Sequence, residues 1–174
     1  GGIDARIAHD FNSDRANGVI ASNSVIANKL HYVRRFFADR NYVLKRGTLG
    51  FCDRDGVCES IDVSGHRTVI VGNIPSFASG ANPFYKSNMA DGLLEVVDVP
   101  DMSRFLMAIA IGNIPVIGGI YKKYFLKSRK VRSLKMVMAG DEFLQLDGED
   151  LSGKVGTEIS IEYACQVQML ALED

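Results

Sequence analysis

The chain has 174 residues, of which 47% are hydrophobic and 24% charged, with a net charge of −1 at neutral pH. That length suffices for one domain spanning residues 1–174 with a core of its own. The composition excludes a disordered chain, and the near-neutral charge excludes the strongly basic character of a general nucleic-acid binder. Three cysteines, Cys52, Cys58 and Cys165, are too few and too unevenly spaced for a disulfide framework or a zinc site. They read as free thiols in a reducing cytosol, and a cytoplasmic protein is the expectation. The longest apolar stretch, 105–120, contains Asn113 and Pro115 and falls short of the ~18–20 residues a membrane-spanning helix needs.

The first forty residues read as helical. Ile7, Ala8 and Phe11 share one helical face, and Asn17-Gly18 breaks the pattern. A second helix is predicted over 24–40, with Val25, Ile26, Leu30, Val33, Phe36 and Phe37 forming an apolar stripe. Short strands follow over 43–51 and 57–63, with Asp55-Gly56 as a hairpin turn between them. The run Thr68-Val69-Ile70-Val71 is apolar without alternation, as in a strand buried on both faces, and Pro75 ends it. A long loop over 76–90 is rich in Ser, Gly and Asn, and Asp91-Gly92 launches a strand over 93–99. Ser103 is the expected N-cap of a helix over 104–111. Strands are predicted over 131–138, 142–146, 157–164 and 166–172, with turns at Gly140-Asp141 and Ser152-Gly153. Helices first and mostly strands afterwards predict a mainly β, α+β fold: an antiparallel sandwich-like domain with two N-terminal helices and one inserted helix.

Three clusters have chemical potential. In 72–80, Asn73 and Ser76 offer hydrogen bonds where the chain leaves a strand, although an ordinary turn explains the segment equally well. Asp91 stands either in a simple turn or at the mouth of a cleft. In Asp147-Gly148-Glu149, carboxylates at i and i+2 of an extended segment would point the same way, and Gly148 would admit a ligand between them. Such a pair can orient a metal-bound phosphate or accept a hydroxyl proton, and the competing reading is a plain hairpin turn. The basic run Lys127, Arg129, Lys130, Arg132 and Lys135 fits a solvated strand edge or a contact with lipid head groups or nucleotide phosphate. His9, His31 and His66 are scattered and read as helix-face or turn residues, and no Walker loop, G-x-S-x-G or H-E-x-x-H signature is present.

Taken together, five segments resemble the accessory (C-terminal) domain of eukaryotic-type diacylglycerol kinases. They are Gly2-Ile3-Asp4-Ala5-Arg6-Ile7-Ala8, Asn28-Lys29-Leu30-His31-Tyr32, Asn73-Ile74-Pro75-Ser76 with Gly80, Asp91-Gly92-Leu93-Leu94-Glu95-Val96-Val97, and Asp147-Gly148-Glu149. One departure is the absence of the Trp that commonly follows the Asn-Ile-Pro-Ser loop, with Phe84 nearby instead. The resemblance implies a lipid kinase whose phosphate loop, Gly-Gly-Asp-Gly-Thr, lies in an upstream catalytic domain of the same polypeptide. Such an enzyme uses ATP and Mg²⁺ to convert diacylglycerol to phosphatidic acid at a membrane surface, to which it is peripherally recruited.

On this resemblance Asp147 and Glu149 are the catalytic and metal-binding candidates. Asp4, Asn73 and Gly148 would help bind the nucleotide, and Ser76, Phe84 and Asp91 would border the lipid. The isolated chain is expected to be inactive, to expose an apolar interdomain face, and therefore to be prone to self-association. The alternatives are a sphingoid or ceramide kinase, which shares the architecture and the Asp-Gly-Glu turn, and a non-catalytic β-sandwich that binds lipid or protein. No nucleic-acid partner is expected.

Overall fold

A computed structural model describes residues 1–20, 25–74, 83–84, 87–101, 103–104, 107, 114, 116–126 and 128–164, with the side chains of 25, 26, 29, 32 and 33 excepted. Among these residues the chain forms three helices, α1 (Ile3–Ala16), α2 (Val25–Ala38) and α3 (Ile117–Tyr124), and nine strands. The strands are β1 (Gly47–Cys52), β2 (Cys58–Asp62), β3 (Thr68–Gly72), β4 (Leu94–Val99), β5 (Arg129–Val131), β6 (Ser133–Met138), β7 (Gln145–Leu146), β8 (Glu149–Asp150) and β9 (Glu158–Glu162). All pairings are antiparallel, in a four-stranded sheet β2-β1-β6-β9, a three-stranded sheet β3-β4-β5 and a hairpin β7-β8. The mainly β, sandwich-like α+β architecture expected from the sequence is therefore present.

The core sits between the two larger sheets. Leu49 and Phe51 of β1 and Leu134, Met136 and Met138 of β6 recur at every second position and meet Val69, Val96 and Val131 of the other sheet. The alternate residues of the three-stranded sheet, Ile70, Val97 and Val99, turn to its opposite face and pack on Phe84 and Leu126. This sheet is thus covered on both sides, which is why Thr68-Val69-Ile70 reads as an unbroken buried run. Helix α1 docks beside it: Ile3 N–H donates to the Arg67 carbonyl at 2.8 Å, and Ile3, Ala5 and Ile7 are buried.

Several expectations are corrected. The apolar stripe of α2 is not inward throughout, because Leu30 and Phe37 are 69% and 59% exposed. The α1–α2 contact rests instead on Asp14, which receives Arg35 at 2.6 and 2.8 Å and lies 2.7 Å from His31 Nε2. The first turn after Asp101 is capped by that residue, which accepts the Arg104 N–H at 2.9 Å and the Ser103 hydroxyl at 2.5 Å; Ser103 is not the cap. A carboxylate is the stronger acceptor for helix-opening N–H groups. Most of the helix expected over 104–111 and all of the strand expected over 166–172 lie outside the described residues.

The cysteine reading also changes. Register places Cys52 directly opposite Cys58, with Cα atoms 4.0 Å apart, and the two form a disulfide across the β1–β2 hairpin. Sequence spacing conceals this, since the intervening turn brings the two together. Cysteine usage therefore no longer argues for a reducing compartment. Among the described residues, no helix is long and apolar enough to cross a membrane.

Candidate functional site

The acidic segment forms a tight hairpin. Gln145 pairs with Asp150 and Leu146 with Glu149, leaving Asp147 and Gly148 at the turn with φ of 49° and 88°. Two successive positive φ values are the backbone demand of a two-residue hairpin, which Asp-Gly meets at little cost. Asp147 is therefore a turn residue and not part of an extended segment, so the i, i+2 argument for aligned carboxylates does not hold. Both carboxylates are nonetheless exposed, as is Gly148 between them.

The hairpin is pinned to α1 at its base. His9 Nδ1 lies 2.6 Å from Asp150 Oδ2, and the Gln145 amide donates to Asp4 Oδ2 at 3.0 Å. Burial pushes the Asp150 carboxyl up, but the Ser152 hydroxyl and His9 outweigh it and hold the pKa at about 2. Asp4 is buried and accepts the Thr68 hydroxyl, so it ties α1 to β3 and β7. Next to it Arg6 pairs with Asp39 at 2.8 Å and lies over the Tyr42 and Phe143 rings at 5.0 and 5.5 Å. Tyr42 donates to Glu142, and burial followed by that hydrogen bond pushes its phenol well above the ordinary value. The exposed turn thus projects from a fixed polar base. Among the described residues no group of three or more His, Cys, Asp or Glu side chains could hold a metal. Asp147 and Glu149 supply hard oxygen donors of the kind Mg²⁺ takes, one or two at a time, alongside phosphate oxygens and water.

The other predicted residues fall elsewhere. Asn73 is exposed where the chain leaves β3, and Ser76 lies outside the described residues. Phe84 is 2% exposed and belongs to the core cluster beneath β3 and β4. Its ring lies so close to Gly72 that a Cβ there would stand 2.6 and 2.7 Å from two ring carbons. Interior packing, not an open lipid path, is what Phe84 does here. Asp91 lines a cavity of about 270 Å³ together with Arg54, Gly92, Arg132 and Tyr163. Its Oδ2 lies 2.5 Å from Lys130 and its Oδ1 accepts the Leu93 N–H at 3.1 Å. Burial raises the Asp91 carboxyl, but these hydrogen bonds and the charges of Lys130 and Arg54 bring it below the usual range. Behind it Glu95 has no exposed surface, and burial holds its carboxyl above the usual range against the Asn88 N–H and Lys130.

Sequence reasoning missed the His9–Asp150 pair, the Asp14–His31–Arg35 cluster and the Arg54–Arg132 approach. Only the second had a local signal, since His31 and Arg35 are one helical turn apart. The others join residues 141 and 78 positions apart. Most of the basic run is spent in ion pairs: Arg129 with Asp98, Lys130 with Asp91, and Lys135 with Glu158. Lys127 lies outside the described residues.

An antiparallel α+β domain carrying an exposed Asp-Gly-Glu hairpin on its first helix fits the class of accessory domain that the sequence resembles. Residues 2–150 match the family described as "Diacylglycerol kinase accessory domain", and the chain belongs to that family. Comparison with curated proteins and with solved structures gave no match.

Proposed function

We propose that this chain is the accessory half of an ATP-dependent diacylglycerol kinase, and that it acts with a nucleotide-binding catalytic domain to phosphorylate diacylglycerol to phosphatidic acid. The family match over residues 2–150 carries the proposal. It is supported by the exposed Asp147-Gly148-Glu149 turn, which presents two carboxylates on a base anchored to α1. Phosphoryl transfer depends on in-line positioning and charge neutralisation, so a domain can contribute by presenting a few oriented oxygens. On this reading Asp147 accepts the proton of the attacking lipid hydroxyl and Glu149 orients it. The same two carboxylates would hold Mg²⁺, which supplies neutralisation of phosphate charge. Asp4 fixes the hairpin's base and Asn73 and Gly148 face the nucleotide side. Ser76 and Asp91 border the lipid, and the isolated chain has no turnover.

Exposed apolar side chains support a missing partner surface and peripheral contact with membranes. Leu30 and Phe37 of α2, and Ile117, Ile120 and Tyr124 of α3, are all largely uncovered. The test is Asp147→Asn in the chain joined to its catalytic domain, assayed with diacylglycerol and, in parallel, with a sphingoid base. The expected loss is about 10²-fold or more in kcat with unchanged thermal unfolding. A loss of less than about tenfold would remove Asp147 from the proton-transfer role. Preference for the sphingoid base would reassign the substrate.

A further inference from the structure

The cavity around Asp91 carries a second, independent reading. Four segments converge on it: the β1–β2 hairpin tip with Arg54, the turn before β4 with Asp91 and Gly92, the β5–β6 junction with Arg132, and the end of β9 with Tyr163. Its carboxylate is already engaged, because Asp91 is held by Lys130, which also lies 3.8 Å from Glu95. Among the described residues neither Arg54 nor Arg132 has a salt-bridge partner. The charged residues lining the cavity are two arginines and Asp91, whose carboxylate is already held by Lys130.

The backbone segments that carry both arginines are held in place. Asp53, the acid beside Arg54, is turned into its own loop, where Oδ1 accepts the N–H groups of Asp55 and Val57 at 2.9 Å each. The Cys52–Cys58 disulfide closes the base of that loop. Arg132 N–H donates to the Cys52 carbonyl at 2.8 Å, so the two arginine-bearing segments are tied to one strand end. The Tyr163 ring covers Gly92, where an added Cβ would stand 3.5 Å from the ring. A cavity of about 270 Å³ suits a compact head group.

We propose that Arg54 and Arg132 form a binding site for a phosphate monoester, with Tyr163 as its aromatic wall. Two guanidinium groups lining one cavity can bind a tetrahedral oxyanion through paired, charge-assisted hydrogen bonds. The ligand is either a free phosphate ester or the head group of a phosphomonoester lipid. The site is separate from the acidic hairpin and does not rest on the kinase assignment.

The test is calorimetric titration of the 174-residue protein with inorganic phosphate, with glycerol phosphate and with a short-chain phosphatidic acid. It is paired with flotation on phosphatidylcholine vesicles with and without phosphatidic acid. Arg54→Gln and Arg132→Gln are each expected to weaken binding by about tenfold or more, and the double variant to abolish it. Arg15→Gln, at an exposed position of α1, should leave binding unchanged. Both cavity arginines are exposed, so their variants should unfold at the parent temperature, and Arg132→Lys should retain part of the affinity. Binding confined to the lipid and to acidic vesicles identifies the head group as ligand; equal binding of glycerol phosphate identifies a free ester. No saturable binding of any probe, or equal binding by parent and double variant, overturns the proposal.

Discussion

Replacing Gly72 with alanine tests the packing that takes Phe84 out of the surface. A Cβ at Gly72 would lie 2.6 and 2.7 Å from two Phe84 ring carbons, where ordinary carbon contact needs about 3.5–4.0 Å. The ring or the strand must therefore yield by roughly 1 Å. Phe84 is hemmed in by Ile70, Val97, Val99 and Leu126, so the ring has little room to retreat. Overpacking of this kind costs about 1–3 kcal/mol. Against it stands the gain from replacing a strand glycine, about 0.5–1 kcal/mol. Gly72 is not held at positive φ, so no backbone strain adds to the cost. The steric term wins, and the net loss is expected at about 1–2 kcal/mol, or roughly 2–8 °C in Tm for a chain of this size. Urea and thermal unfolding of Gly72→Ala, Phe84→Leu and the double variant measure it. In the Phe84→Leu background the alanine should cost nothing, giving a coupling energy of about 1–2 kcal/mol. An unchanged or higher Tm for Gly72→Ala alone would refute the placement of Phe84 on Gly72. So would a Phe84→Leu variant with altered lipid chain-length preference and unaltered stability.

Two further outcomes follow from the pairings around the sheets. The Asp150 carboxyl sits at about 2 in the folded chain, below its unfolded value near 4, so its contribution is complete above pH ~4 and is lost as pH falls through about 2. After solvent screening that contribution is about 1–2 kcal/mol. Urea unfolding from pH 6 to 2 should show the gap between the parent and Asp150→Asn closing in that window, and a constant gap would contradict the pairing. The Cys52–Cys58 bridge spans a sequence separation of 6, a small loop whose closure is worth about 2 kcal/mol. Thiol titration of the denatured protein should release two thiols only after reduction, and Cys52→Ser should lower the unfolding midpoint. Three thiols reacting without reductant would mean that the hairpin is unbridged.

The local patterns carried the architecture. The uninterrupted run Thr68-Val69-Ile70-Val71 implied a strand covered on both faces, and its first three residues are buried between two packed layers. Asp147-Gly148 was legible as a turn for a local reason, because few residue pairs accept two successive positive φ values. The five family segments were readable in the same way, each as a short string.

What the sequence alone could not decide was which distant residues meet. Cys52 faces Cys58 only through the β1–β2 register, and Phe84 enters the interior only because Gly72 leaves space for its ring. The outward turn of Leu30 and Phe37 depends on which face of α2 its polar clamp to Asp14 selects. Arg54 and Arg132 become neighbours because β1 pairs with β6 and Cys52 accepts the Arg132 N–H. Periodicity reports the face a residue occupies on its own element, whereas the partner across that face is set by strand pairing and long-range packing.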